Sequence, residues 1–341
     1  MKVKSLLPIV FSLLLFHNAL PQPTLFGDRY AIIIGGIGGQ PEFTETYLQQ
    51  TSRMYNLLRE RFYYEPKNIL YLFEKPELDS AKIDFQATAE NIRKAFQKLA
   101  NIMKENDQLF VFMVGHGSYD GDWCKFNLVG ADLRDIDFMQ LLDQLPAKKT
   151  IIVNTTSASG PFIERLSAPE RVILTATKSG QEHFATNFAD FFLDALSTEE
   201  ADVNKDQRIS MAEAFTFAKN RQDKWFEEKR RIRSEHPLLD DNGDGKGSLT
   251  LDAAADGQQA SRSYLGPVSA EWQAVAKKSQ SGQASPGEKL LLEKMALEQQ
   301  IEDLKAKKAQ MPPEVYSRQL ETLLVRLAKL NKEIKSQSSG K

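Results

Sequence analysis

Gln108–Asp120, with the sequence QLFVFMVGHGSYD, decides the fold, because an apolar run breaks there into small and polar residues. Lys149–Gly160, KTIIVNTTSASG, has the same form. Such runs are typical of strands buried in a parallel sheet, both faces of which are covered. Neighbouring parallel strands end at one edge of the sheet, so we expect His116 and Ser157 to lie side by side. That edge is where open α/β sheets bind ligands.

Strand-like and helical patterns alternate on both sides of these stretches. The further predicted strands are Asn68–Phe73, Arg171–Thr177 and the first part of Asp28–Gly39, which runs into a glycine-rich turn. The predicted helices are Thr44–Tyr64, Thr88–Lys104, Asp135–Leu145 and Asn187–Leu196. This alternation predicts an α/β fold in which a mainly parallel sheet carries helices on both faces. We expect the domain to cover residues 28–219. The glycines after the first strand lack the spacing of a nucleotide-binding loop.

The chain has 341 residues, a formal net charge of −2 and an apolar fraction of 41%. These values favour one sizeable core with appendages and do not indicate nucleic-acid binding. Residues 1–20 contain two lysines and then the apolar run Leu6–Phe16, which is the layout of a signal peptide. The run is too short for a comfortable membrane span. We therefore expect removal of this segment, export to the periplasm or the extracellular space, and no stable membrane insertion.

The segment Asp202–Glu213, called here the first acidic loop, interrupts the α/β pattern. Its residues have the spacing of an EF-hand calcium loop, in which the seventh place contributes only a backbone carbonyl. The predicted ligands are Asp202, Asn204, Asp206, Arg208 and Glu213. Gln207 stands at the sixth place, where glycine is usual. We predict calcium binding; the alternative is a solvated helix N-terminus with acidic caps.

A second acidic stretch, Asp240–Gly245 with the sequence DDNGDG, begins in the same way. We call it the second acidic loop. It lacks a closing glutamate, because Leu251 stands at the twelfth place. Two interpretations stay open, a calcium half-site and a tight turn. The loop belongs to a predicted segment of helix and acidic loop that covers residues 220–256.

The C-terminal part is predicted to form a linker and a helical hairpin. Residues 257–286 are rich in Ser, Gln, Gly and Ala, which is typical of a linker. Residues 287–336 have coiled-coil-like leucine spacing interrupted by Pro312 and Pro313. This pattern favours an antiparallel pair of helices, which is a candidate surface for self-association.

These segments resemble the legumain and caspase-like (clan CD) peptidase family over Tyr30–Leu196. In that family the central strand ends in a His-Gly pair, which here is His116-Gly117. The next strand ends in a segment whose nucleophilic cysteine stands three residues before a glycine. The corresponding segment is Asn154–Gly160, NTTSASG. The resemblance implies a caspase-like fold, with His116 as the general base and Ser157 at the position of the cysteine.

The resemblance also implies an oxyanion hole formed by Gly117 and the Ser157 amide. Thr175–Glu182, TATKSGQE, resembles the specificity-pocket strand of legumains. The pocket residues would be Thr177, Lys178 and Ser179. Serine is a weaker nucleophile than cysteine and needs a base that a third group orients. Asp120 and Asp122 are the carboxylates nearest in sequence for that role.

Cys124, the single cysteine, is interpreted as a buried structural residue, with replacement of the nucleophile as the alternative. His183 is a second candidate base, with a surface role as the alternative. Legumains recognise Asn or Asp through an Arg-His pair, and Pro41–Thr51 contains no basic residue. Cleavage after Asn or Asp is therefore not expected.

Three functional hypotheses stay open. The leading one is an exported, caspase-like pseudoenzyme that binds a peptide or protein in the substrate crevice, with calcium in the first acidic loop. The second is an active endopeptidase or transpeptidase that uses Ser157 with His116. The third is a calcium-dependent extracellular scaffold in which the crevice is idle.

Overall fold

A computed structural model describes residues 27–252, 255–266, 274–275, 278, 283–306, 308 and 311–338. The predicted signal peptide, residues 1–20, lies outside the described residues, as does much of the predicted linker. The strands are β1 Arg29–Gly35, β2 Ile69–Phe73, β3 Phe85–Gln86, β4 Gln108–Val114, β5 Gly117–Tyr119, β6 Cys124–Phe126, β7 Leu133–Arg134, β8 Lys149–Asn154, β9 Arg171–Thr175 and β10 Leu238–Asp240.

The main sheet has seven strands in the order β10-β9-β8-β4-β1-β2-β3. Every pairing in it is parallel except that of the edge strand β10 with β9. Strands β1, β2, β4 and β8 are buried almost end to end, as their continuous apolar runs predict. The predicted mainly parallel α/β fold is confirmed.

Helices cover both faces of this sheet. The helices are α1 Pro41–Asn56, α2 Ala89–Ile102, α3 Asp135–Asp143, α4 Phe162–Leu166, α5 Phe188–Ser197, α6 Met211–Glu228, α7 Pro286–Ala306 and α8 Pro313–Ser338. Residues of α1, α5 and α6 build one apolar core against the sheet, and residues of α2, α3 and α4 build the other. Burial of two such cores is the main source of stability in a fold of this kind.

A small antiparallel sheet follows β4 directly. It consists of β5, β6 and β7, in that order. Its first residue, Gly117, comes immediately after His116, and its middle strand carries Cys124. Its strands have only two or three residues, which is too short for a periodic sequence pattern.

The core extends beyond the predicted boundary at residue 219. Strand β10 adds to the main sheet, and Leu265 is buried in the core that contains α6. The Arg29 guanidinium donates to the Leu265 carbonyl at 2.8 Å, and the Gln108 amide donates to the Tyr264 carbonyl at 3.0 Å. These contacts join β10 and residues 264–265 to the core of the main sheet. Residues 257–265 have the polar composition of a linker, although the backbone carbonyl groups of the last two bond to side chains of the core domain.

Helices α7 and α8 contact each other on either side of the turn at Pro312. Arg326 forms a 2.6 Å ion pair with Glu293, across the pair of helices. Several apolar side chains of α8, including Leu324 and Val325, stay exposed. In the part of the chain that the structure describes, no helix has the length and apolarity needed to cross a bilayer.

Candidate active site

Three segments meet at the carboxyl end of the sheet, after β1, β4 and β8. The pairings Gly35 with Val114 and Met113 with Asn154 bring the ends of these strands level. The segments that carry His116 and Ser157 therefore lie side by side, as the two apolar runs predict.

His116 lies in an aromatic setting. The Tyr47 hydroxyl is 3.2 Å from His116 Nδ1 and 3.3 Å from Nε2, and Nε2 is 3.2 Å from the carbonyl oxygen of Gly38. Because a carbonyl only accepts, the Gly38 contact assigns a proton to Nε2 and leaves Nδ1 to accept from Tyr47. The ring of Phe43 packs edge-on at 4.7 Å between centroids. Burial lowers the pKa of His116, so its neutral form is favoured.

The Ser157 side chain is 2% exposed and bonds to backbone only. Its hydroxyl donates to the Gly117 carbonyl at 3.1 Å and accepts from the Gly117 amide at 3.0 Å. A Cβ on Gly117 would collide with the Ser157 carbonyl oxygen, so this approach requires glycine. Within the described residues no hydrogen bond joins Ser157 Oγ to His116.

Ala158, directly after Ser157, has a left-handed backbone with φ 54°. Such a conformation costs a non-glycine residue about 1–2 kcal/mol and must be imposed by its surroundings. The Ala158 amide donates to the Glu182 carbonyl at 2.8 Å, and the Ala158 carbonyl accepts from Cys124 Sγ at 2.8 Å. Cys124 is fully buried, and burial raises the pKa of its thiol to about 12. It acts here as a structural donor, which agrees with the structural interpretation.

The two carboxylates nearest in sequence do not orient the histidine. Asp120 forms a 2.7 Å ion pair with Lys125 and accepts from the amides of Asp122 and Trp123. The Lys125 contact comes first among the causes that lower the pKa of Asp120 to about 2. Among the described residues, neither Asp120 nor Asp122 hydrogen-bonds His116, so the suggested third member of a serine relay is not in place.

The predicted pocket segment packs against Gly160. A Cβ on Gly160 would collide with the backbone between Lys178 and Ser179, so glycine permits the contact. Thr177 is fully buried, and its hydroxyl accepts from the Gly160 amide at 3.0 Å, so it supports the segment and does not line an open pocket. Lys178 is exposed, and its amide donates to a Glu182 carboxylate oxygen at 2.9 Å.

Two consecutive residues before β10 fix the far end of this segment, and sequence reasoning missed both. His236 Nδ1 lies 2.5 Å from Glu182 Oε1, and the His236 amide donates to Glu182 Oε2 at 3.1 Å. The buried Glu235 accepts from the Asn187 amide at 2.8 and 3.1 Å. Burial, opposed only in part by these hydrogen bonds, raises the pKa of Glu235 to about 7. Contacts across 48 and 54 residues leave no local pattern.

Residues 85–233 match the family model of the Peptidase C13 family. This segment contains β4, β8, β9, His116, Ser157 and the rim of the crevice, but not α1, the loop before it, Glu235 or His236. The matched part of the chain is similar to caspase-like peptidases, and the unit that contains it is called here the peptidase domain. Metacaspase-7 of Arabidopsis thaliana is 30% identical over 182 residues, which are 49% of this chain and 43% of that protein. The chain thus spans less than half the length of this curated relative.

Among solved structures, protein GSU0716 from Geobacter sulfurreducens aligns with 62% of this chain and 92% of its own. The identity is 13% and the TM-score is 0.43. A similarity of this size does not add to the assignment of the peptidase domain, which rests on the family match and on the sheet itself.

The rim of the crevice in the peptidase domain displays an aromatic side chain. Phe184 is 66% exposed, and the ring of the neighbouring exposed His183 lies tilted against it at 4.7 Å between centroids. The rim is tied to the loop of Ser157 on both sides of that residue, because Glu182 bonds Ala158 and Thr186 Oγ1 donates to the Thr155 carbonyl at 2.5 Å. His183 accordingly belongs to the rim, and in the described structure its Nδ1 lies 2.8 Å from the Gln181 carbonyl oxygen while the Ser157 hydroxyl bonds to Gly117.

The first acidic loop folds around its own carboxylates. Asp202 accepts from the amides of Asp206 and Gln207 at 3.2 and 2.9 Å. Glu213 accepts from the amides of Val203 and Ser210 at 3.1 and 2.9 Å and so closes the loop onto α6. The remaining predicted ligands also bond within the loop: Asn204 Oδ1 accepts from Asp206, and Asp206 Oδ1 accepts from Arg208. Of the described side chains, no three His, Cys, Asp or Glu converge as a metal centre.

Proposed function

We propose that the crevice after β1, β4 and β8 binds an extended peptide or protein segment and that its catalytic machinery is degenerate. The observation that carries the proposal is the double hydrogen bond between the Ser157 hydroxyl and the Gly117 backbone. A serine nucleophile must give its proton to a base as it attacks. Here the proton is directed to a carbonyl, which cannot accept it as a base.

The setting of His116 supports the same proposal. Tyr47 and Gly38 occupy the two ring nitrogens, so neither nitrogen is directed at Ser157. Activation would require the ring to leave both partners, and Phe43 packs against the ring and opposes that movement. A thiol at residue 157 would need less help, because it ionises near pKa 8.5 without a tightly bonded base.

The rim supports peptide binding. An exposed aromatic ring on a segment fixed at Glu182 and Thr186 offers a large apolar contact at small cost in side-chain entropy. The probe is a set of peptides selected from a random display library for binding to the wild type. We expect Phe184→Ala to weaken the affinity for these peptides about tenfold. Ile232→Ala, which removes another strongly exposed apolar side chain, is the matched control. Equal affinity in wild type and Phe184→Ala would remove the rim from the binding site.

An active endopeptidase or transpeptidase that uses Ser157 and His116 is the second candidate. The left-handed Ala158 favours it, since strained residues cluster where catalytic loops are held open. A fluorescent fluorophosphonate separates the candidates when it is applied to wild type, Ser157→Ala, Ser157→Cys and His116→Ala. We expect no labelling of wild type, and labelling of Ser157→Cys by a thiol probe. Wild-type labelling that is lost in Ser157→Ala and His116→Ala would establish the enzyme.

We also propose that the first acidic loop binds calcium, as its spacing predicts. Calcium takes oxygen ligands in flexible geometry, and Asp202, Asn204, Asp206 and Glu213 present carboxylate and amide oxygens around one short loop. A cation that binds only the folded state raises its melting temperature. Glu213→Gln should abolish the increase that this loop contributes. If calcium raised the melting temperature equally in wild type and in Glu213→Gln, the first acidic loop would not be a calcium site.

Export and self-association complete the proposal. N-terminal sequencing of the secreted mature protein should find the residues up to about Leu20 removed; an intact Met1 in the exported fraction would contradict the signal peptide.

Deletion of residues 287–341 should leave the peptidase domain folded and reduce the oligomer size in sedimentation. An unchanged sedimentation profile would mean that α7 and α8 pack within their own chain and do not mediate self-association.

A further inference from the structure

The second acidic loop leaves the edge strand β10 and wraps around the end of α4. The Gly245 amide donates to the Ser167 hydroxyl at 2.9 Å, just after α4 ends. Gly243 passes so close that a Cβ on it would lie 3.2 Å from the Ala168 backbone. The loop is thus a packed part of the peptidase domain and not a free surface turn.

The first carboxylate of this loop is buried without a partner. Asp240 is fully buried, and neither of its carboxylate oxygens has a hydrogen-bond partner. The Ser167 hydroxyl accepts from the Gly245 amide and lies near enough to favour the ionised form of Asp240, but its geometry toward that carboxylate falls short of a hydrogen bond. Buried carboxylates are normally hydrogen-bonded or paired with a cation, because loss of water is costly.

The charges that act on Asp240 are negative. Asp241, Asp244 and the buried Asp256 all disfavour its ionisation, and no cationic side chain is among the groups that shift its pKa. Burial is the largest cause, and the pKa of Asp240 rises to about 6. The same holds for Asp256, whose pKa is raised by burial and by Asp241 and Asp244. Burial and neighbouring carboxylates are thus what raises the pKa of both Asp240 and Asp256.

We propose that the second acidic loop binds a divalent cation of the calcium type, with Asp240, Asn242 and Asp244 as its side-chain ligands. The loop contains carboxylate, amide and carbonyl oxygens and no His or Cys, which selects a hard cation. Calcium sites take several ligands from amides, carbonyls and water, so convergence of three acidic side chains is not required. The cation supplies the missing partner of Asp240.

A cation bound in the second acidic loop would stabilise β10 and the residues that precede this strand. Strand β10 has only three residues and pairs on one side with β9. The residues before it, Glu235 and His236, hold Asn187 and Glu182 of the crevice rim. A cation at the end of β10 therefore stabilises the rim from the opposite end of the strand.

The test measures the calcium-induced change in melting temperature of the full chain in a Glu213→Gln background, which silences the first acidic loop. We expect calcium to raise the melting temperature of Glu213→Gln and to leave Glu213→Gln/Asp240→Asn unchanged. In chelator, Asp240→Asn should melt no lower than its parent, because it removes an unpaired buried charge. Asp244→Asn, at an exposed position, is a second variant that leaves the core intact and should also abolish the shift.

Titration calorimetry gives the second readout. The number of calcium ions bound per chain should fall by one in Asp240→Asn and in Asp244→Asn, each compared with its parent. A calcium-induced shift of equal size with and without these substitutions would overturn the proposal. So would the absence of any calcium effect in the Glu213→Gln background, because Asp240 would then be buried in its protonated form with no cation.

Discussion

In the first acidic loop every carboxylate accepts hydrogen bonds from the backbone around it, whereas in the second the leading carboxylate accepts none. The two loops nevertheless share one backbone conformation. Their fourth and sixth places are left-handed, with φ 61° and 67° at Lys205 and Gln207 and φ 78° and 75° at Gly243 and Gly245. The amide of the fifth residue donates to the side chain of the third at 2.8 Å in both loops.

This comparison separates two contributions. The spacing of Asp and Asn sets the local backbone, because their side chains bond amides two residues further along the chain. The balance of charge depends on what each loop packs against. The first loop is closed by Glu213 of α6, and the second is pressed against α4 by contacts of its glycines. The same spacing of Asp and Asn therefore does not give the same electrostatics in the two loops.

The largest expected effect on stability comes from Glu235, a buried carboxylate that has hydrogen bonds but whose burial they offset only in part. Its pKa is raised to about 7 although the Asn187 amide bonds it. A carboxyl whose folded pKa exceeds its unfolded value binds more protons when folded, so stability falls as pH rises between the two values. We expect a loss of about 3 kcal/mol between pH 4.5 and 7.

Urea unfolding at several pH values measures this loss, with Glu235→Gln as the matched variant. The difference in unfolding free energy between wild type and variant should change over this pH range and stay constant above it. A difference that does not depend on pH would mean that hydrogen bonds compensate the burial of Glu235 fully.

Glu213→Ala is next in size. The Glu213 carboxylate accepts from the amides of Val203 and Ser210 and from the Ser210 hydroxyl, and this capping box starts α6. We expect a loss of about 2 kcal/mol in chelator, where calcium plays no part. The same measurement on Asp240→Asn should show no loss. Similar losses in the two variants would break the distinction between a bonded and an unpartnered carboxylate.

Gly243→Ala should cost about 1–2 kcal/mol, because a left-handed alanine is strained and its Cβ would crowd Ala168. Gly245→Ala carries the same backbone strain, with its nearest neighbour at 3.7 Å. The two variants therefore differ only in the contact of the new Cβ with Ala168. The difference between their unfolding free energies in denaturant measures the cost of that contact. Equal losses would show that backbone strain alone explains the glycines of the second loop.

Gln207→Gly has the smallest expected effect and the opposite sign. Release of left-handed strain gains about 1–2 kcal/mol, and the entropy of glycine in the unfolded chain takes back about 0.5–1 kcal/mol. A net gain of about 0.5 kcal/mol is expected, close to the resolution of unfolding measurements. Gln207→Asn, which tolerates this conformation, should fall between wild type and glycine; destabilisation by glycine would mean that the Gln207 side chain contributes contacts of its own.

Much of the fold could be predicted from local patterns. The runs that end at His116 and Ser157 form neighbouring parallel strands, because only such a sheet buries continuous apolar segments on both faces. The edge strand β10 escaped prediction because three residues carry no periodic signal. The core position of Leu265 escaped for a similar reason, since the polar composition around it is typical of linkers.

The sequence by itself determined the buried strands, the crevice at their ends and the backbone of both acidic loops. These features follow from interactions between residues that are close in the chain. Only the tertiary structure decided that Tyr47 and Gly38 hold His116, that Gly117 holds the Ser157 hydroxyl, and that Asp240 has no partner. Each depends on which distant groups share a small volume, and the free energy of a buried polar atom is set by those neighbours.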